Sequence, residues 1–195
     1  DVAPSRGLGD VYKRQVQWGD EVFVNCWSYD DKILVVDAAR ETLVDSIEVG
    51  PQPSSLVLDR FGKLWTVTDG RTAGIPAALY RIDAATRRVE QTYTFAAGDH
   101  PSSVTLNGTR DTLYFINRDV WRMRVDAEEL PVTPFLPYTQ TTYYEVAVDP
   151  LTSEVYVADA IDYVQHGVVY RFTARGAAVD TIRVGITPGS FCFKP

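Results

Sequence analysis

The apolar residues of this chain occur in short runs that are separated by turn residues. The clearest set lies between Lys63 and Asn107, where runs rich in β-branched and aromatic residues occupy 64–67, 79–82, 89–95 and 102–106. Runs of this composition, bounded by Gly, Pro, Asp and Asn, predict an antiparallel meander of four strands. No segment shows a sustained helical period of apolar residues, so we expect an essentially all-β chain.

The same pattern recurs about every 40 residues, a period typical of propeller blades. Asp37, Asp83 and Asp126 each close the third run of a unit with a similar turn, and Pro-Ser-Ser opens the next run at 53–55 and at 101–103. One meander cannot bury both of its apolar faces, so units of this kind pack face to face around an axis. We predict repeats at about 22–59, 60–107, 108–149 and 150–193, with innermost strands near 54–58, 101–106, 143–148 and 189–193.

The predicted fold is therefore an all-β β-propeller with YVTN/WD40-like four-stranded blades. About four blades are present, and the run at 189–193 has no partner blade, which favours an open arc of a larger ring. Residues 9–15 read as the translation of a transposase mosaic end used to build sequencing libraries, so we interpret 1–15 as a non-native, adapter-derived segment. Residues 16–195 would then form the partial propeller domain. A genuine flexible N-terminus is the alternative.

Composition and charge limit the classes of partner. The chain has 195 residues and a formal net charge of −7, with no basic run, which argues against nucleic acid and anionic membrane surfaces. No apolar run approaches membrane-spanning length, so no direct membrane insertion is expected. Cys26 and Cys192 lie far apart and fit no metal-ligand spacing, which favours buried free thiols over a disulfide.

Signals for catalysis are scarce. His100 and His166 are the two histidines, and neither has a second histidine or a carboxylate at ligand spacing, so we expect no metal site. The chain contains no Gly-x-Ser-x-Gly motif and no glycine-rich phosphate loop. Asp37, Asp83, Asp126 and Asp149 occupy turn positions, where aspartate usually caps its own backbone. On the predicted inner strands only Glu145 ionises near neutral pH, so we expect no enzyme activity and no catalytic cofactor.

The loops carry more functional signal than the strands. In a propeller, the loops between second and third strands, and those leading from a fourth strand to the next inner strand, emerge on one face. On that face aromatic side chains accompany amides and carboxylates, and such loop aromatics often mark a binding surface. The alternative is that individual aromatics pack between blades. The candidate ligand-binding residues are Trp27, Tyr29, Asp69, His100, Asn117, Tyr144, Asp159, Asp162 and Tyr163.

Several strings are more specific than the repeat spacing. They are VNCWSY at 24–29, LNGTRDTLYFIN at 106–117, WRM at 121–123, EVYVADAIDY at 154–163 and VGITPGSFCF at 184–193. Together they resemble the C-terminal half of the surface-exposed cobalamin-binding lipoproteins of anaerobic Gram-negative gut bacteria, which are seven-bladed YVTN- or YncE-like propellers. The resemblance covers about Val22 to Phe193. The family's lipidated N-terminal cysteine, signal sequence and first blades have no counterpart in this sequence.

The resemblance implies capture of cobalamin (vitamin B12) outside the cell and hand-over to a TonB-dependent outer-membrane transporter. It also implies a cell-surface location, with the parent protein anchored in the outer membrane. A corrinoid is a broad ring fringed with amides, and it would be held by many preorganised contacts without a covalent step. Two other functions stay open: a cell-surface protein-interaction propeller without a small ligand, and a quinoprotein-dehydrogenase-like or lactonase-like enzyme.

Overall fold

The computed structural model describes residues 14–26, 31–72, 74–138 and 142–194. Within these ranges the chain contains β-strands, turns and loops, and no helix. The strands form four antiparallel sheets in which neighbours along the chain are neighbours in the sheet. The predicted all-β propeller architecture is confirmed, and the sheets are its blades, arranged as an open arc.

The first two sheets each have four strands. The first contains β1 (Gln15–Trp18), β2 (Glu21–Asn25), β3 (Lys32–Asp37) and β4 (Thr42–Glu48). The second contains β5 (Val57–Leu58), β6 (Lys63–Val67), β7 (Ala78–Asp83) and β8 (Arg88–Thr94). In both sheets the outermost strand is mostly exposed, as expected for the rim of a blade.

The third sheet has three strands and the fourth has four. It contains β9 (Ser102–Leu106), β10 (Thr112–Asn117) and β11 (Asp119–Arg124), and a bridge from Val120 to Leu136 stands where a fourth strand would lie. The fourth sheet contains β12 (Tyr143–Val148), β13 (Val155–Asp159), β14 (His166–Phe172) and β15 (Ala178–Ile186). The inner strands β1, β5, β9 and β12 follow one another around the arc, each in contact with the next.

The core lies between successive sheets. Leu64 and Ile82 of the second sheet pack against Phe23 and Ile33 of the first, while Trp65 packs in the layer between the second and third sheets. A third layer joins the third and fourth sheets. Because both faces of an interior blade are buried, its strands are apolar at successive positions and not only at alternate ones.

Two register predictions are wrong. The run 102–106 pairs with β10 of the next sheet, so the four predicted strands of the 63–107 unit do not form one sheet. That sheet instead uses the short inner strand β5. Residues 189–193 form no strand, because the described chain offers them no partner strand. Phe191 and Phe193 instead pack near the ring of Tyr156, at centroid distances of 6.2 and 5.4 Å.

The first sheet also includes residues assigned to the adapter-derived segment. Gln15 opens β1 and pairs with Val24, and the amide of Arg14 donates to Asn25 Oδ1. The structural boundary therefore lies at least two residues earlier than position 16, while the origin of the segment stays a prediction.

The cysteines form no disulfide within the described residues, as predicted, but they are not both buried. Cys26 is half-buried and Cys192 is exposed. Cys192 is exposed because it lies in the segment after β15, which no further sheet covers in the described chain.

Three of the four aspartates predicted to cap turns do so. Asp37 Oδ1 accepts from the amides of Ala39 and Arg40, Asp83 Oδ1 accepts from Thr86, and Asp149 Oδ1 accepts from Leu151 and Thr152. The exception is Asp126, whose carboxylate pairs with the guanidinium of Arg124 across 2.8 Å.

Candidate functional site

The predicted site residues belong to segments at one end of the sheets. Antiparallel neighbours run in opposite directions, so the loops after each second strand and after each fourth strand emerge at the same edge. We call this edge the loop face; its described segments include 49–56, 68–72, 74–77, 95–101 and 160–165. Trp27 and Tyr29 lie outside the described residues. The other seven predicted residues lie at the loop face and form two groups plus one separate residue.

Asp159 is the anchor of the first group. It ends β13 and is 1% exposed. Its Oδ1 accepts from the amides of Thr142 and Ile161 at 3.0 and 2.7 Å, and its Oδ2 accepts from the Tyr170 hydroxyl at 3.3 Å. Three donors occupy a carboxylate that has almost no exposed surface, so Asp159 supports the loop and does not present oxygens to a ligand.

Asp162 closes the same loop from the outside. This exposed residue accepts from the amides of Val164 and Gln165 through Oδ1, both at 2.9 Å. These bonds hold the pKa of the Asp162 carboxyl below its ordinary value, with the Gln165 amide as the largest cause. A ligand would meet a carboxylate already partly used in an Asx-type turn.

Tyr163 is the most exposed aromatic of the predicted set in the described chain. Its side chain is 53% exposed and its backbone has φ +64°. A hydrogen bond from the Tyr163 amide to the Ala160 carbonyl, 2.9 Å, holds this conformation. The Tyr163 ring meets the ring of Tyr144 edge to face, with centroids 5.8 Å apart. The turn therefore projects one tyrosine outwards and supports it with a second.

Asp69 and His100 form the second group. Asp69 is 7% exposed, and its Oδ1 accepts from the Arg71 amide at 3.0 Å. His100 Nδ1 donates to the carbonyl oxygen of Asp69 at 2.8 Å, which ties the loop after β6 to the loop after β8. Because a carbonyl accepts only, a neutral His100 carries its proton on Nδ1 and leaves Nε2 as an exposed acceptor.

Asn117 stands apart from both groups. It ends β10, next to a tight connection in which Arg118 has φ +60°. Its carbonyl accepts from Trp121 Nε1 at 3.0 Å. Its side-chain amide has no partner among the described residues, so one donor group and one acceptor group are available at the loop face.

Sequence reasoning found Glu145 on the inner strands but missed that it belongs to a polar ring that includes Arg14. Pairing registers make Arg14, Ser55, Ser103 and Glu145 equivalent positions in the four sheets. Arg14 went unnoticed because the segment before Val16 was set aside. Its partner, Glu145, lies 131 positions away in the chain, and no local signal links the two residues.

Two members of this ring connect neighbouring blades. Ser55 Oγ accepts from the Val104 amide at 3.1 Å, and Ser103 Oγ accepts from the Val146 amide at 3.0 Å. The two bonds are equivalent in successive sheets, so each serine hydroxyl of one inner strand binds the backbone of the next.

Glu145 is the one acidic member of the ring. Ser103 Oγ donates to its Oε1 at 2.6 Å, and Arg14 approaches its Oε2 at 2.9 Å, so the ion pair connects the fourth sheet to the residue before β1. Burial raises the pKa of Glu145, while the Ser103 hydrogen bond and the charge of Arg14 oppose that shift. The one negative charge of the ring, on Glu145, is therefore paired with the positive charge of Arg14.

The described residues hold neither a metal-binding cluster nor a membrane-spanning helix. Within 14–26, 31–72, 74–138 and 142–194, no group of three or more His, Cys, Asp or Glu side chains is arranged to hold a metal ion. The same part of the chain contains no helix long and apolar enough to cross a membrane.

Solved structures with the same architecture are propeller-like proteins. A quinoprotein alcohol dehydrogenase-like protein from Bacteroides thetaiotaomicron superimposes with a TM-score of 0.68 and 16% identity, covering 88% of this chain and 45% of that one. Hydrazine synthase from Kuenenia stuttgartiensis gives 0.67 and 14%, covering 86% and 47%. This chain thus spans less than half the length of either structure. At these identities the likeness shows the fold alone.

Family membership comes from the sequence comparison. No match was found among the curated proteins. A family model described as "Domain of unknown function (DUF5074)" matches residues 13–190. Because that match covers most of the chain, the protein belongs to the DUF5074 family.

Proposed function

We propose that the loop face binds a corrinoid of the cobalamin type and that the chain acts as a capture module without catalysis. The observation that carries this proposal is the Tyr144–Tyr163 pair, in which a supported, half-exposed aromatic ring projects from the loop face. The sequence strings that resemble cobalamin-binding lipoproteins include this loop, EVYVADAIDY.

The chemistry of the loop face suits such a ligand. A corrinoid presents a flat apolar ring with amide groups around its rim, and each buried amide without a partner costs about 1–3 kcal/mol. Tyr163 offers an aromatic surface and a hydroxyl, His100 offers a free Nε2 acceptor, and Asn117 offers a free amide. Asn117 ends β10, and hydrogen bonds hold the loops that carry Tyr163 and His100, which reduces the entropy lost on binding.

The hand-over step follows from the same proposal. We infer that the chain works at the cell surface, as part of a protein anchored in the outer membrane, and passes the corrinoid to a TonB-dependent transporter. The sequence resemblance supports this location and this partner. A non-catalytic role is supported by the inner ring, in which Glu145 is engaged by Ser103 and Arg14.

Titration calorimetry of the whole chain with cyanocobalamin tests the proposal. Tyr163→Ala removes the exposed ring and should weaken binding about tenfold, equivalent to 1.4 kcal/mol. The matched control is Phe61→Ala, which removes an aromatic ring that is 62% exposed in the turn after β5, at the opposite end of the sheets. Both are surface changes, so both variants should fold normally.

The expected result is weaker binding for Tyr163→Ala and unchanged binding for Phe61→Ala. Equal effects from the two variants would show that the ligand does not use the loop face. Absence of saturable heat with the unmodified chain would overturn corrinoid binding altogether.

A protein-interaction surface is the second candidate. Exposed apolar side chains on the loop face favour it, because Val164 is 76%, Ile75 43% and Tyr138 36% exposed. Such residues lose most hydration when they are covered by a protein partner. The two functions differ in visible absorption, since a bound corrinoid would colour the purified protein and a protein partner would not.

A further inference from the structure

A cleft of about 660 Å³ opens at the edge opposite the loop face, where the first, second and third sheets meet. Its wall consists of the end of β1, the turn between β5 and β6, and the turn between β9 and β10. The lining residues are Trp18, Leu58, Asp59, Arg60, Gly62, Gly108, Thr109 and Arg110. None of them belongs to the predicted corrinoid site.

The cleft is preformed, because its two turns are bound to each other. The Arg60 amide donates to the carbonyl oxygen of Arg110 at 3.1 Å. The Arg60 guanidinium lies 3.3 Å from Asp111 Oδ2. Within the second turn, Asn107 Oδ1 accepts from the amides of Asp111 and Thr112, both at 3.1 Å. A ligand would therefore meet a wall that is held in place before binding.

The acidic group in the wall has no capacity left for a ligand. Asp59 is 2% exposed; its Oδ1 accepts from the amides of Phe61 and Lys63, and its Oδ2 accepts from Trp65 Nε1 at 2.9 Å. Asp111, the nearest other carboxylate, pairs with Arg60. The carboxylates near the cleft are thus engaged in the protein's own bonds.

The groups left over are donors. Trp18 is 38% exposed, and its indole N–H has no partner among the described residues. The guanidinium of Arg110 is also unpaired within the described chain, and its residue is exposed. Thr109 Oγ1 accepts from Asn107 Nδ2 at 2.9 Å, and its own hydroxyl binds the Asp111 carboxylate and helps to lower the pKa of that group. Among the described residues, one uncompensated cation (Arg110), one neutral donor (the Trp18 N–H) and an indole face therefore border the same space.

We propose that this cleft is a second binding site, which takes a small aromatic anion. A carboxylate or phosphate would accept two parallel hydrogen bonds from Arg110, and the aromatic part would stack on Trp18 against Leu58. An anion alone would use only part of the site. This inference does not depend on corrinoid binding, because the two sites share no residue and lie at opposite edges of the sheets.

The test is a two-dimensional ¹⁵N NMR titration of the whole chain with phenyl phosphate in 0.15 M salt. The indole N–H signal of Trp18, identified by its loss in Trp18→Phe, should shift in a saturable way. Inorganic phosphate and phenol, the two halves of the probe, should each bind at least about tenfold more weakly than phenyl phosphate.

Matched arginine variants complete the test. Arg110→Gln should weaken phenyl phosphate binding about tenfold, since it removes the charge and the bidentate donor. Arg175→Gln should leave it unchanged; Arg175 is exposed, has no side-chain partner within the described chain, and lies in the turn after β14 at the same edge but outside the cleft. An unshifted Trp18 signal, equal binding of inorganic phosphate, or indifference to Arg110→Gln would each overturn the proposal.

Discussion

Replacing Ser103 with alanine should weaken the contact between the third and fourth blades. The equivalent change, Ser55→Ala, should weaken the contact between the second and third blades by a smaller amount. Ser103 is 5% exposed, and its hydroxyl both accepts from the Val146 amide at 3.0 Å and donates to Glu145 Oε1 at 2.6 Å. Ser55, also 5% exposed, only accepts, from the Val104 amide at 3.1 Å. The two serines thus differ by one bond to a carboxylate.

The expected magnitudes follow from those bonds. Leaving a buried amide without an acceptor costs about 1–3 kcal/mol, so Ser55→Ala should lower the free energy of unfolding by about that amount. Ser103→Ala loses the same kind of bond and also a charge-assisted one of about 1.5–3 kcal/mol, giving about 2.5–6 kcal/mol in total. Ser103 has φ +50°, but serine and alanine share that strain, so it cancels.

Urea unfolding followed by circular dichroism at pH 7 measures both effects. Ser54→Ala is the control, since the Ser54 hydroxyl donates at 3.3 Å to the Val67 carbonyl, which already accepts from the Ser54 amide at 2.9 Å. This change should stay within about 0.5 kcal/mol. Equal losses for Ser55→Ala and Ser103→Ala would refute the contribution of the Glu145 bond, and losses no larger than the control would refute the interblade role of both serines.

Two further predictions concern pH and backbone approach. Burial raises the pKa of Glu145 above its unfolded value, so the native state binds more protons between the two pKa values and stability should fall as pH rises through that window. Glu145→Gln should flatten this part of the plot of stability against pH, measured by urea unfolding, and an unchanged slope would contradict the assignment to Glu145. At Gly108 an added Cβ would lie 1.9 Å from the carbonyl oxygen of Pro150, so Gly108→Ala should lower the free energy of unfolding by more than the usual range of about 0.5–3 kcal/mol. Thermal melting measures this loss, and a value under about 0.5 kcal/mol would mean that the turns carrying Gly108 and Pro150 move apart easily.

The strands were largely predictable from the sequence because blade strands are short, apolar and bounded by turn residues. The predicted runs 64–67, 79–82 and 89–95 fall within one residue of β6, β7 and β8 at each end. The sequence could not show which sheet an inner strand joins. The run 102–106 has the same composition in either sheet, and its pairing with β10 depends on contacts around the axis.

β1 was missed for a different reason. Gln15–Trp18 is short and alternates polar with apolar residues, and most of it is exposed, so it carries a weak strand signal. Gln15–Trp18 becomes a strand because it pairs with β2. The ion pair between Arg14 and Glu145 likewise depends on the curvature of the arc, which brings the first and fourth sheets together.

The loop face was predictable as an edge, because strand alternation alone determines which loops share it. The use of each side chain was not. Asp69, Asp159 and Asp162 look similar in the sequence, but their oxygens accept from amides of their own or adjacent loops. Whether an aspartate binds its own loop depends on local φ and ψ values, and Ile161 and Tyr163 both have positive φ in that loop.

Because the aspartates bind loop amides, recognition of a ligand at the loop face depends on the other side chains. The acidic residues, which gave the face its apparent polarity, are committed to holding loops in shape. Among the predicted residues that the structure describes, the groups left free are the His100 Nε2 acceptor, the Asn117 amide and the Tyr163 ring with its hydroxyl. The exposed guanidinium of Arg118 also lies at this face, over the Tyr138 ring. Neutral groups select a ligand by shape and by matched hydrogen bonds, and their interactions are screened little by salt. The proposed corrinoid, a large molecule rimmed with amides, offers hydrogen-bond partners to these groups. At the opposite edge, Arg110 has no ion-pair partner among the described residues, which is why the proposed ligand there is an anion.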